Sequence, residues 1–195
     1  MPPVIAGLTV TWIYVDDPGS VGAGWYAAML GFLTLIPLSA YPLARVLTCI
    51  RERGRAGERS LAFVMGLIGY FLGTSVSMLL QAPVKVSAIM ISYLASATVL
   101  AAVNRFAGIK ASGHACGVAG PMTLLTWFLG VRGLCLLLVL PAVFWARVAS
   151  GHHSMRELVL GAMVGVVSTW TTLAICAAVV FSSKAGFMLN GYLPM

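Results

Sequence analysis

The sequence predicts an all-α membrane protein: a six-transmembrane-helix bundle with a short N-terminal interfacial or re-entrant segment, forming one membrane domain over residues 1–195. Three observations predict it. Only 9% of the residues are charged and 60% are hydrophobic, whereas a soluble domain carries about 25% charged residues. The mean hydropathy is +0.97. The few charges fall between six charge-free windows, to be set against the roughly 20 apolar residues that a helix needs to cross a bilayer.

The elements follow in order. Met1 to Tyr14 is apolar but short, and it runs into Asp16-Asp17-Pro18-Gly19. It lacks the basic start of a signal peptide, so it is expected to lie at the interface or to dip into it. The windows then run Pro18–Leu43, Ser60–Val84, Val86–Asn104, Ala111–Val131, Gly133–Ala146 and Leu158–Ser183. They leave no room for a soluble module. Cys49, Cys116, Cys135 and Cys176 form no CxxC pair and sit in or beside the windows, so they read as small apolar residues and not as a disulfide framework.

Taken in order, the loops alternate between two faces. One face receives residues 45–59, 104–113 and 147–157, with nine Lys and Arg. The other receives the turns near 81–83 and 130–133 and the C-terminal tail, with three. The positive-inside rule puts the first face in the cytoplasm, making this an integral, multi-pass protein with a cytoplasmic active face. The net charge of +7 would point to nucleic acid in a soluble protein. Here the basic residues flank membrane spans, so the expected anionic partner is a lipid headgroup or phosphate, with no nucleic acid.

The same face gathers the chemistry. All three histidines lie there, in "IKASGHACG" (109–117) and "RVASGHHSMRE" (147–157), beside the arginine-dense "RERGRAGERS" (51–60). Glu157 follows His153 by four residues, one helical turn. A carboxylate on one ring nitrogen fixes the tautomer and makes the other a better nucleophile or base. His114, from a separate loop, is placed to give up a proton. Arg147 offers planar donors for phosphate oxygens, and Ser112 and Gly113 stand where a helix beginning near His114 favours an anion. Ionisable groups at a bilayer border are costly and mark function. Together these residues describe a phosphoryl-transfer site with no metal and no cofactor. Zinc is the competing chemistry, but His153 and Glu157 lack a second ligand pair at comparable spacing.

These segments resemble the type-2 phosphatidic acid phosphatase family of integral membrane phosphatases. Its R-x5-H-x3-D segment is matched by Arg147, His153 and Glu157, and its P-S-G-H by "ASGH" at 111–114. The resemblance covers roughly residues 20–183 as a phosphatase-like core. It implies that His153 forms a phosphohistidine, that His114 protonates the leaving oxygen, and that Ser112, Gly113 and Arg147 hold the phosphate. Three departures stand out: Glu157 replaces an Asp, Ala111 replaces a Pro, and the first signature, K-x6-R-P, is absent. Arg55, Arg59 and Lys110 are the natural substitutes for that signature. Some divergent members carry N-x5-K-x-S-x-H, which Asn104, Lys110, Ser112 and His114 fit.

The expected function is metal-independent hydrolysis of a terminal phosphate from a membrane lipid phosphate or pyrophosphate, with the lipid substrate and membrane lipids as partners and the oligomeric state left open. The rivals are a phosphotransferase using a lipid acceptor and a catalytically dead lipid-binding relative. Structural readings stand beside these. His152 reads as a border residue, Arg51, Arg53 and Arg55 as topology determinants, and Gly161-x3-Gly165 with Gly66, Gly69 and Gly73 as close-packing positions.

Overall fold

The computed structural model describes the backbone of residues 1–106, 108, 110–149 and 154–190, and the side chains within these except 135–138, 147 and 183–190. All regular structure among the described residues is helical. Helix α1 (Pro2–Asp16) leads to a single turn, α2 (Pro18–Val21). Then α3 (Ala23–Leu30), a π-helical turn (Gly31–Leu35) and α4 (Ile36–Val46) run on as one rod. After a second single turn, α5 (Thr48–Arg51), come α6 (Gly54–Leu79), α7 (Val84–Phe106) and α8 (Gly113–Leu129). A 3₁₀ segment (Gly130–Leu138), α9 (Val139–Ala149) and α10 (Met155–Asn190) complete the order. Among the described residues five helices are long and apolar enough to cross a membrane: Ala23–Val46, Gly54–Leu79, Val84–Phe106, Gly113–Leu134 and Met155–Ser182. Large apolar side chains such as Phe71, Leu79 and Phe181 face outward along them, as a lipid-facing surface requires.

The window Gly133–Ala146 is not one α-helix. It divides between the 3₁₀ segment and the 11 residues of α9, which together bring the chain back to the face where α10 starts beside Ser112. Pro141 falls in the first turn of α9, where its missing N–H has no helical bond to lose, so the α-helical ladder starts afresh there. The turn in the first rod has a similar origin. Pro37 cannot bond the Leu33 carbonyl, and the ladder widens by one residue, with the Ile36 N–H donating to the Gly31 carbonyl.

The second difference concerns α1, which lies lengthwise in the bundle and not across its mouth. Pro2 abuts Gly117, one turn into α8. At the other end Asp16 pairs with Arg132 at 2.7 Å and Asp17 with Lys85 at 2.9 Å. Thus α1 runs parallel to α8 from the basic face to the opposite one. Its 15 residues cover about 22 Å, and Ala6, Val10 and Ile13 are buried inside the bundle. The apolar sequence was legible, but nothing in it distinguished a short packed helix from a surface one.

The main core lies toward the face carrying Asp16 and Asp17, where Ile13, Met29, Leu33, Ile89, Leu124 and Leu125 pack. A smaller cluster of Leu100, Ala111 and Cys116 sits near the basic face. Two glycines decide how closely α10 approaches α8. A Cβ at Gly161 would collide with the Ser112 backbone, and one at Gly165 would stand 2.7 Å from the Cys116 carbonyl. Small residues four apart let the helices meet backbone to backbone.

Candidate functional site

The region around the Ser-Gly-His segment is built from the backbone outward. The Asn104 side chain, in the last turn of α7, grips one residue of the following loop twice. Its Nδ2 donates to the Ala111 carbonyl at 3.3 Å, and its Oδ1 accepts from the Ala111 N–H at 2.6 Å. Ser112, completely buried, then caps α8, its Oγ accepting from the Ala115 N–H at 3.5 Å. The Ser112 N–H donates to the Glu157 carbonyl at 2.9 Å. That bond joins the two His-bearing segments in space, and the close approach at Gly161, one turn after Glu157, makes room for it.

Above this frame a cavity of about 370 Å³ opens at the basic face. Its mouth carries Glu58 and Arg59 from α6, Asn104 from α7, Lys110 from the loop, and Gly113 and His114 from the first turn of α8. Arg59 and Lys110 bring two positive charges beside the N-terminal end of α8, whose dipole adds to them. His114 is half-buried there. The arrangement can hold an anion and deliver a proton to it. Inside, the cavity is lined mainly by small and apolar residues.

The sequence-based candidates therefore divide. His114, Gly113, Lys110 and Arg59 line one cavity. Ser112 stands directly beneath it as cap and backbone donor, but its side chain is not among the residues lining it. Arg55 is exposed and outside the lining, and its carbonyl accepts from Arg59 Nε at 3.4 Å. Glu157 has a structural use that spacing to His153 did not reveal. Ser154 Oγ accepts from the Glu157 N–H, while the Glu157 carboxylate accepts from the Ser154 N–H, both at 3.3 Å. This is a reciprocal capping box at the start of α10, and "SMRE" spells its sequence signature. His153, His152 and the Arg147 side chain lie outside the described residues.

Several contributors were not anticipated. Glu58 places a carboxylate at the mouth, and the only sequence signal for it was its adjacency to Arg59. Pro2 and Pro3 form part of the wall because α1 packs lengthwise against α8. Cys116, read as an inert apolar residue, is buried but also lines the cavity. No family model, curated protein or solved structure matches the chain.

Proposed function

We propose that the protein removes a terminal phosphate from a membrane lipid phosphate or pyrophosphate, without a metal, through a phosphohistidine. The observation that carries the reading is the cavity mouth, where His114, Lys110 and Arg59 meet at a membrane border above an apolar interior. A phosphate needs cationic donors, a proton for its departing oxygen, and a route for the greasy remainder of its lipid. The mouth supplies residues for the first two and the interior a route for the third.

In this reading a His153 ring nitrogen attacks phosphorus, and the bond to the lipid oxygen breaks. His114 gives its proton to that oxygen, releasing the lipid alcohol from a phosphate or the lipid monophosphate from a pyrophosphate. A water then attacks the phosphohistidine, His114 takes up a proton from it, and inorganic phosphate leaves. Arg147, Lys110 and Arg59 bear the charge spread over the three transferring oxygens, while Gly113 offers an N–H at the helix start. Glu157 orients His153, or fixes its position through the Ser154 cap. The Ser112–Glu157 backbone bond supports this division of labour, because it ties the end of the chain bearing His153 to the helix bearing His114.

Phosphate release over a panel of lipid phosphates and pyrophosphates, in EDTA and with and without a lipid alcohol acceptor, tests the reading. Release to water by the wild type, lost in His114→Ala, is the expected result. Transfer only in the presence of the acceptor would replace hydrolase with transferase. No turnover of any panel member would leave the lipid-binding rival.

A further inference from the structure

The cavity has a definite depth, and three helices mark it independently. Its mouth residues Arg59, Asn104 and Gly113 belong to α6, α7 and α8, and its inner residues Tyr70, Tyr93 and Leu124 belong to the same three helices. In each helix the two marks are eleven residues apart. At 1.5 Å per residue that is about 16 Å. The two marks run in the opposite order along α7, as an antiparallel neighbour demands, and so agree on one floor.

Between mouth and floor the wall offers little to a polar guest. Ser96 and Thr169 bond each other at 3.2 Å, and Ser92 donates to the Ala88 carbonyl at 2.7 Å. Ala62, Gly66, Ala97 and Gly117 leave the passage open because they are small. At the floor Leu124 is buried and Tyr93 is packed against Tyr70, their ring centroids 5.5 Å apart.

We infer that this passage takes the hydrocarbon tail of a lipid, phosphate end at the mouth, and measures it at about a dozen carbons. An extended chain advances roughly 1.2 Å per backbone bond, so 16 Å holds about 13 bonds. The inference rests on the reading above in placing a phosphate at the mouth, and it names the substrate class as lipid phosphates whose tails are of about that length.

The test uses the full chain in nanodiscs and a non-hydrolysable dodecyl phosphonate bearing a diazirine at its terminal carbon. After illumination, adducts are located by mass spectrometry. The expected result is labelling at Tyr70, Tyr93 or Leu124. The variant Ala97→Phe fills the passage part-way down without emptying any core. It should bring floor labelling to background while the variant remains folded by its thermal transition. Adducts confined to outward residues such as Phe71, Val99 and Val166, floor labelling unchanged in Ala97→Phe, or no adduct at all would each overturn the inference. Phosphate release from dodecyl phosphate is read separately. Floor labelling without release would leave the chain pocket standing and remove the phosphatase reading; release without floor labelling would do the reverse.

Discussion

Asn104 shows how one neutral side chain can position a charged site. Its amide satisfies both backbone groups of Ala111, and so sets where Lys110 and the start of α8 emerge. Asn104→Ala leaves the Ala111 N–H and carbonyl without their partner, a cost of at most about 1–3 kcal/mol for each group. It should lower the thermal transition and weaken phosphate binding together. At the mouth, Arg59→Ala should reduce turnover of a lipid phosphate about a hundredfold, the usual order for losing one donor to transition-state charge. Arg55→Ala should change turnover little, since an exposed surface charge contributes weakly. Equal effects from both would mean that the loop acts only through its overall charge. His114→Ala should cost several kcal/mol of barrier, each ~1.4 kcal/mol giving a tenfold loss, with His152→Ala as the mild control. The polar residues were legible because a chain with so few charges leaves each one conspicuous. The Asn104 grip was not, because a hydrogen bond to a loop carbonyl has no signature beyond the spacing of seven residues.

At the scale of the element, the contact between α8 and α10 is the sharpest constraint. Gly161→Ala drives a methyl into the Ser112 backbone, and overpacking of this kind costs about 1–3 kcal/mol. It should also part the two His-bearing segments, so activity should fall further than stability. Gly31→Ala is the comparison: nothing lies within 4 Å of the added Cβ, and a helical Gly→Ala change stabilises by about 0.5–1 kcal/mol. Thermal unfolding of the two variants, with phosphate release beside it, separates packing from chemistry. The far end of α1 gives a pH prediction. Hydrogen bonds from Ser20, then Lys85, hold the Asp17 carboxyl at about 2, below its ordinary 3.8. A lowered carboxylate stabilises the fold above its unfolded value and loses that effect as pH falls through the folded one. The difference in thermal transition between wild type and Asp17→Asn should therefore be full at pH 6 and vanish near pH 2. A difference independent of pH would remove the ion pair as its cause. Most helices could be read directly, since long apolar windows between charges can hardly be anything else. The two places that hydropathy left undecided, α1 and the stretch 133–146, are both short. There a proline or a packing partner decides what hydropathy cannot.

For the whole molecule, the chemistry predicted is free of metal. Phosphate release should survive EDTA and be blocked by vanadate, whose five-coordinate form resembles the transferring phosphorus. Loss in EDTA with recovery on adding zinc or magnesium would reject the histidine mechanism. The architecture divides the labour between two ends: a dense core with two ion pairs at one face, and an open, cationic mouth at the other. Alternation of loops made that polarity legible in the sequence. The cavity itself was not, because its walls are the same small and apolar residues that line any packed helix. The Ser112–Glu157 bond has a further consequence in time. It links backbone groups 45 residues apart, and its acceptor is carried by the last helix of the described chain. During synthesis the basic loop, Lys110 and His114 are all made before that helix leaves the ribosome. The mouth is therefore completed only when α10 enters the bilayer, and a nascent chain meets the surrounding lipids without a finished site.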